Sequence, residues 1–302
     1  MQDILNFKRK VILGIGILSL VELLSFPLRA VISLVLARLL EPLVFGIFGI
    51  MEMFIYFGRN ISTLGLEAYL VQKKEDPKLV EYRTIFTLRF ILGSIFLFLI
   101  FIFSSHLLSL FKLTDKANMM IRILSLVLLI EPFSAISKVL IQRGLQYEKL
   151  GIINLVNLLA SRIVIVILVY LKFGVWSFIW GYIFIFILEA ILFLKICPWK
   201  IGVALEPSTV KKAFKFGSLY QLSETIAVSQ YYIIPVLGGI IFGPQAVGYL
   251  SWGYNILSRL SGTFNFIIGR ITFPAVSRIQ DNFLEAVNFF VKVVRYLMFI
   301  TA

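Results

Sequence analysis

The sequence predicts an all-α membrane protein that crosses the bilayer many times. Of its 302 residues, 60% are hydrophobic and only 15% are charged, and the mean hydropathy is +0.95. A soluble domain usually carries about 25% charged residues, so this chain lacks the polar material to coat a globule. At about 20 apolar residues per helix, and about 30 with the connection, there is room for eight or nine spans.

Apolar runs bounded by charge, proline and glycine define the individual spans. Eight complete helices are predicted at 11–40, 44–71, 82–111, 118–142, 150–171, 174–196, 213–240 and 245–270, and a ninth begins near residue 284. Pro27, Pro132 and Pro235 fall inside these runs, where they are expected to kink the helices because proline lacks the amide hydrogen.

The distribution of basic residues predicts a cytoplasmic amino terminus, since cations are retained on the cytoplasmic side. That orientation leaves few basic residues in outer loops: Arg38, Lys112, Lys116 and Lys172. The cytoplasmic segments then hold Lys8, Arg9, Lys10, Lys73, Lys74, Lys78, Arg83, Arg143, Lys149, Lys195, Lys200, Lys211, Lys212, Lys215, Arg270 and Arg278. The net charge of +13 is therefore explained by topology, and it does not indicate a nucleic-acid partner.

An internal repeat is indicated by two matching turns. Pro42 and Gly46 recur as Pro244 and Gly248 at a spacing of 202 residues, and Glu22 recurs as Glu224 at the same spacing. A repeat with six spans predicts two parallel copies. The sequence thus predicts a complete six-helix lobe at 1–200. It predicts the start of a second lobe at 201–302, with helices 7, 8 and part of 9, and a truncated remainder.

Ten ionisable residues fall well inside the predicted spans, where exposure to lipid would cost about 2.5–3.5 kcal/mol each. They are Glu22, Arg29, Glu52, Arg59, Glu67, Glu131, Arg162, Glu189, Glu224 and Arg259. They must face protein or water, and pairing between helices is expected over pairing within one helix. Arg89, Arg122 and Lys138 lie nearer the span ends, where long side chains are expected to reach the interface.

Three of the interior residues are candidates for binding an anion. Arginine holds phosphate with paired hydrogen bonds and stays charged in a cavity, so Arg29, Arg59 and Arg259 would suit a diphosphate. Glu22 or Glu224 could bind and release a proton or cation, because burial raises the pKa of a carboxyl group. The alternative for these charged residues is that they form salt bridges that only hold the helices together.

No motif for catalysis or for a cofactor is present in the sequence. One cysteine, Cys197, and one histidine, His106, exclude an internal disulfide and a multi-histidine metal site. No phosphate-binding loop or nucleophile motif is visible. The sequence therefore favours a transporter without a cofactor over an enzyme.

Five segments carry a family resemblance. Residues 36–48 read LARLLEPLVFGIF, 142–147 read QRGLQY, 173–177 read FGVWS, 248–254 read GYLSWGY and 273–280 read FPAVSRIQ. In these segments the chain resembles polysaccharide-export and O-antigen flippases of the MATE-like multidrug/oligosaccharidyl-lipid/polysaccharide superfamily.

The resemblance implies a two-lobed helical bundle that moves undecaprenyl-diphosphate-linked oligosaccharide across the bacterial inner membrane by alternating access. It implies a lipid-linked oligosaccharide and membrane lipid as partners, with polysaccharide polymerase machinery as a further candidate. Related flippases place cavity arginines on helices one, two and eight, to which Arg29, Arg59 and Arg259 are similar. Two alternatives stay open: a cation-coupled multidrug exporter of the same superfamily, and an inactive fragment.

Overall fold

Helices make up most of the part of the chain that the structure describes. The computed structural model describes residues 21, 25, 27–253, 291 and 295, without the side chains of 227, 228, 230 and 231. No strand occurs within these residues, and five helical segments among them are long and apolar enough to cross a bilayer. The prediction of an all-α, polytopic membrane protein is confirmed.

The described helices follow one another with short connections. They are α1 (27–39), α2 (Pro42–Thr63), α3 (Leu66–Gln72), α4 (Leu79–Ser109), α5 (Asp115–Ser125), α6 (Val127–Ile130), α7 (Pro132–Arg143), α8 (Tyr147–Tyr170), α9 (Val175–Ile196), α10 (Pro207–Phe242) and α11 (244–253). Most bounds agree with the predicted runs to within a few residues. Most of the predicted first span before residue 27, the end of the eighth span and all of the ninth except residues 291 and 295 lie outside the described residues.

The run predicted at 44–71 forms two helices, α2 and α3, instead of one. Leu64 and Gly65 both adopt positive φ angles, 42° and 61°, which interrupt the helical hydrogen bonds. Gly65 also lies directly against the backbone of Gly217 in α10, where a Cβ atom would come within 2.8 Å of the Gly217 Cα. Glycine is therefore needed here for both its φ angle and its close approach.

The run predicted at 118–142 is divided into α5, α6 and α7. The second division falls at Glu131 and Pro132, because the proline ring cannot continue the hydrogen-bond pattern of the preceding turn. The helix is thus interrupted at Pro132, and the kink expected there stays a prediction. Pro235, by contrast, lies within α10, which continues through it to Phe242.

The connections at the two ends of the helices differ in their number of basic residues, with Lys73, Lys74, Lys78, Arg143 and Lys200 at one end and Lys112 and Lys172 at the other. The connections at 73–78, 143–146 and 197–206 lie at one end, which we call the basic end, and those at 40–41, 110–114 and 171–174 lie at the opposite end.

Arg143 organises the basic end by donating hydrogen bonds to the α3–α4 connection. Its Nη1 reaches the carbonyl oxygens of Leu70 at 2.8 Å and Lys73 at 2.7 Å, and its Nη2 lies 3.0 Å from Asp76 Oδ1. The sequence predicts for Arg143 only a contribution to the orientation of the protein in the membrane. In the structure, the same guanidinium group also satisfies the carbonyl groups at the end of α3.

The chain divides into two compact units, Met1–Ser251 and Trp252–Ala302. In the first unit, the largest apolar core lies between α2, α4, α5, α6 and α9, and it includes the fully buried Met51, Ile55 and Ile121. α10, which the sequence assigns to a second lobe, belongs to this unit and packs on α2 and α3. The lobe boundary at 200–201 stays a prediction.

The two turns of the predicted repeat contact each other at the opposite end. A Cβ atom on Gly46 would overlap the carbonyl oxygen of Pro244, and one on Gly248 would overlap the carbonyl oxygen of Pro42. The contact is reciprocal, as an approximate two-fold relation between the copies would produce. The starts of α2 and α11 therefore meet backbone to backbone.

We expect Gly46→Ala to destabilise the protein by about 1–3 kcal/mol, the usual range for forcing a group into a filled contact. The measurement is the free energy of unfolding in mixed micelles. Gly49→Ala is the matched control one turn along α2, where the nearest atom, Ser251 Oγ, lies 3.4 Å from the new Cβ. Equal stability of the two variants would contradict the backbone contact.

Candidate functional site

A network of ion pairs lies inside the membrane-spanning part of the first unit. Four helical segments bring together Arg59 of α2, Glu67 of α3, Arg89 of α4 and Glu131 between α6 and α7. Arg89 is ten residues from the start of α4 and Glu131 twelve from the end of α7. At 1.5 Å per residue, the network is about 15–18 Å from the basic end.

Arg59 and Glu131 form a bidentate pair. Arg59 Nε lies 3.0 Å from Glu131 Oε2, and Arg59 Nη2 lies 2.7 Å from Glu131 Oε1. The third guanidinium nitrogen, Nη1, donates to the Tyr182 hydroxyl at 3.4 Å, and the Arg59 Cζ stands 4.5 Å from the ring centre of Phe186. Two parallel hydrogen bonds and an aromatic face fix the plane of this guanidinium group.

Arg89 shares the same carboxylate. Its Nη2 lies 3.2 Å from Glu131 Oε2, and its Nη1 lies 2.6 Å from Glu67 Oε1 and 2.8 Å from the Thr63 hydroxyl. One oxygen of Glu131 therefore serves two guanidinium groups. The Arg89 Nε is buried and has no hydrogen-bond partner among the described residues.

The expectation that Arg89 reaches the membrane interface is wrong. Its side chain is only 2% exposed, because α4 begins at Leu79 and places Arg89 deeper than the predicted start at 82 implies. The sequence signal that would have found this is the nearby Glu67, an acid at a comparable depth on the preceding helix. Desolvated arginine needs such a partner.

A second intramembrane pair joins α7 to α9. Lys138 Nζ lies 3.1 Å from Glu189 Oε1 and 5.5 Å from the ring centre of Phe193. Lys138 was expected to reach the interface, and it is instead paired with an interior acid. Arg122 does lie near the opposite end, where it binds Ser104 Oγ and the Phe101 carbonyl oxygen.

The candidate substrate-binding residues fall in different places. Arg59 lies in the network, and its pairing with Glu131 confirms the expected bonding between helices. Arg29 lies on α1 and is half-buried. Arg259 lies outside the described residues, so the binding of a diphosphate by these three arginines stays a prediction.

The candidate coupling residues are also separated. Glu224 is exposed on α10, and Glu22 lies outside the described residues. Near Glu224, the buried Gln221 accepts a hydrogen bond from the Gly65 amide at 3.1 Å, and its Nε2 contacts Asn60 Oδ1. Thr225 Oγ1 donates to the same Asn60 oxygen at 3.0 Å. These contacts hold α10 against α2 beside Arg59.

The network is suited to exchanging one anion for another. Its two arginines and two glutamates balance in charge, and the Glu131 carboxylate joins α2 and α4 to the α6–α7 junction. Arg59 is 25% exposed, whereas Arg89 is 2% exposed. An arriving anion would therefore reach Arg59 first, and Glu131 would keep Arg89 as its partner.

Comparison with known proteins decides the family. A family model described as "Polysaccharide biosynthesis protein" matches residues 35–302. The chain belongs to the polysaccharide biosynthesis protein family. Membership in this family agrees with the multi-pass membrane architecture and with the motifs at 36–48 and 142–147.

Three curated proteins are similar to this chain. An uncharacterised membrane protein in the cps region of Klebsiella pneumoniae is 25% identical, over 88% of this chain and 56% of that protein. The lipopolysaccharide biosynthesis protein WzxC of Escherichia coli K12 is 24% identical, over 92% and 56%. The teichuronic acid biosynthesis protein TuaB of Bacillus subtilis 168 is 21% identical, over 74% and 46%.

This chain spans about half the length of the curated relatives that it matches. No solved structure matches it. Among the described residues, no group of three or more histidine, cysteine, aspartate or glutamate side chains is placed to hold a metal ion.

We expect Glu131→Gln to lower the free energy of unfolding by about 3 kcal/mol, because it leaves two buried guanidinium groups without their shared counter-ion. The control is Glu189→Gln, which removes the same charge from a single pair whose lysine is 35% exposed. Unfolding of both variants in the same mixed micelles gives the comparison. A smaller loss in Glu131→Gln than in Glu189→Gln would contradict the sharing of the carboxylate.

Proposed function

We propose that this protein acts as a flippase, which moves undecaprenyl-diphosphate-linked oligosaccharide across the bacterial inner membrane by alternating access. The oligosaccharide would be a repeat unit of O-antigen, capsule or exopolysaccharide. Membership in the polysaccharide biosynthesis family supports this class of substrate. The names of the relatives, which refer to lipopolysaccharide and teichuronic acid biosynthesis, point to the same chemistry.

The observation that carries the proposal is the position of Arg59. Its guanidinium group lies inside the membrane, keeps part of its surface open and, among the described residues, contacts the shared carboxylate, a tyrosine hydroxyl and an aromatic ring. A diphosphate offers more negative charge and more acceptor oxygens than a carboxylate. It would displace Glu131 from Arg59 while Glu131 stays bound to Arg89.

This exchange provides a pathway for an anionic headgroup without leaving a charge unpaired in the bilayer. Burying the Arg59 guanidinium group costs free energy. Its ion pair with Glu131 offsets that cost when the site is empty, and its ion pair with the diphosphate offsets it when the site is filled. In the proposal, Arg29 and Arg259 contribute further positive charge, and the lipid tail stays in the bilayer. No chemical bond is made or broken, so the protein acts as a transporter and not as an enzyme.

Coupling to an ion gradient is part of the same proposal. Glu22 and Glu224, which occupy equivalent positions in the predicted repeat, would bind a proton or cation when the substrate is absent. Glu224 is exposed next to the α2–α10 contact, so its proposed role rests on the repeat and not on burial of this carboxyl group. Glu224→Gln should remove the dependence of transport on the gradient while leaving substrate binding intact.

We expect Arg59→Ala to reduce surface polysaccharide by about tenfold or more, the loss that corresponds to one or two charge-assisted hydrogen bonds. The assay is complementation of a strain blocked in repeat-unit translocation, with protein abundance measured in the membrane. Arg29→Ala and Arg259→Ala should act in the same direction. Arg38→Ala, an exposed arginine at the end of α1, is the control and should complement fully.

A purely structural role for Arg59 has a separate test. The double variant Arg59→Gln/Glu131→Gln removes both charges of the pair and leaves the Arg89–Glu67 pair in place. If this variant is present in the membrane and restores normal surface polymer, Arg59 does not contact the substrate. Accumulated lipid-linked precursor in the double variant would support the proposed contact.

We propose that the basic end faces the cytoplasm, and Cys197 provides the test. It lies directly after α9 at the basic end, and burial raises the pKa of its thiol. Less thiolate is therefore present near neutral pH, so maleimide labelling should be slow at pH 7 and faster as the pH rises.

A membrane-impermeant maleimide should leave Cys197 unlabelled in intact cells and label it after permeabilisation. Lys116→Cys in a Cys197→Ser background places the thiol at the opposite end, where labelling should occur in intact cells. The reverse pattern would show that the amino terminus lies outside.

A further inference from the structure

A groove between α4 and α5 lies near the opposite end, away from the ion-pair network. It encloses about 410 Å³ and is lined by Phe101, Asp115, Asn118, Arg122 and neighbouring apolar side chains. Those apolar side chains include Met119 and Leu126, which are exposed by 62% and 41%. An exposed apolar surface of this kind on a membrane-spanning helix faces lipid.

Arg122 is fixed in this groove with part of its guanidinium group unused. Its Nε donates to Ser104 Oγ at 3.1 Å, its Nη2 donates to the Phe101 carbonyl oxygen at 3.1 Å, and its Cζ lies 5.6 Å from the Phe101 ring centre. Within the described part of the chain, Nη1 has no acceptor and no carboxylate pairs with Arg122. The group is oriented and remains free to bind an anion.

Two acceptors lie on the same stripe of α5. Asp115 is seven residues before Arg122, and Asn118 is four residues before it, so the three side chains lie along one helix face. The Asn118 Oδ1 has no donor among the described residues, but it is shielded from solvent and is therefore closed to a bound headgroup. Asp115 is exposed, and no cation of the described residues pairs with it.

Along the membrane normal, the basic Arg122 lies deeper than the acidic Asp115. This order matches a zwitterionic lipid, whose phosphate lies deeper than its ammonium group. The span Asp115–Arg143 has 29 residues. At 1.5 Å per residue it is about 13 Å longer than a bilayer core of about 30 Å, so Arg122 lies within about 5 Å of the hydrocarbon boundary. Asp115 lies farther out, and Leu126 lies deeper.

We propose that this groove binds a phospholipid with a primary ammonium headgroup, such as phosphatidylethanolamine. Arg122 Nη1 donates to the lipid phosphate, and the ammonium group donates to Asp115. The acyl chains lie against Met119 and Leu126. This site does not depend on the transport proposed above, since it uses none of the residues of the ion-pair network.

The test measures the binding of lipids with identical acyl chains to the purified, delipidated chain by native mass spectrometry. Phosphatidylethanolamine should bind more tightly than phosphatidylcholine, whose quaternary amine has no hydrogen to donate, and more tightly than phosphatidylglycerol, which has no cation for Asp115. Soluble glycerophosphoethanolamine should compete poorly, because it lacks the chains that pack on α5. Equal binding of the three lipids, or tight binding of the soluble headgroup alone, would overturn the proposal.

Variants of α5 separate the site from general attraction to a charged helix. Arg122→Gln should weaken phosphatidylethanolamine binding by about tenfold, as expected for the loss of a charge-assisted contact. Lys116→Gln removes the same charge from the same helix outside the groove, and it should change binding little. Asp115→Asn should abolish the preference for phosphatidylethanolamine over phosphatidylcholine while keeping binding to both.

Equal effects of Arg122→Gln and Lys116→Gln would show that only net charge matters, and would reject the site. The unfolding temperature of each variant in lipid-free detergent distinguishes loss of the site from loss of the fold. If Arg122→Gln unfolds, Asp115→Asn still tests the ammonium contact, and an unchanged lipid preference would reject it.

Discussion

Electrostatic compensation inside the bilayer is the constraint on which this structure depends. A guanidinium group in a medium of low dielectric constant needs an anion within hydrogen-bonding distance, and one carboxylate, Glu131, provides this for Arg59 and Arg89. The requirement fixes how α2, α4 and the α6–α7 junction approach one another. Glu67 extends the same constraint to α3. The apolar core around Met51 and Ile121 then fills the space between helices whose relative depth the charges have set.

The sequence predicts the helices well and their interruptions less well. Hydropathy locates a span because burying about 20 apolar residues in lipid outweighs local preferences. It does not show where a continuous apolar run changes direction. Pro132 marks one such place in the sequence, whereas the break at Leu64 and Gly65 depends on contact with Gly217, far along the chain. Interactions of that kind are set by the fold and leave little local pattern.

The candidate site, like the fold, could be predicted only in part from the sequence. Residue type and depth identify Arg59 and Glu131 as interior charges, and the energetic cost of lipid exposure predicts that they have partners. The partners themselves were not predictable, because pairing depends on the rotation of each helix and on a few residues of depth. Arg89 illustrates the effect of depth. α4 begins three residues earlier than predicted, and this difference places Arg89 in the buried network and not at the membrane interface.

The contact of Gly46 with Pro244, and of Gly248 with Pro42, is made by main-chain atoms alone. Peptide groups are common to all residues, so this contact constrains the two glycines and does not itself select the neighbouring side chains. The residues flanking the two turns are constrained by their own packing, as Val247 is in the apolar core, and not by this junction. Any change at one glycine that adds a side chain cannot be offset at the other, because neither position has an atom to remove.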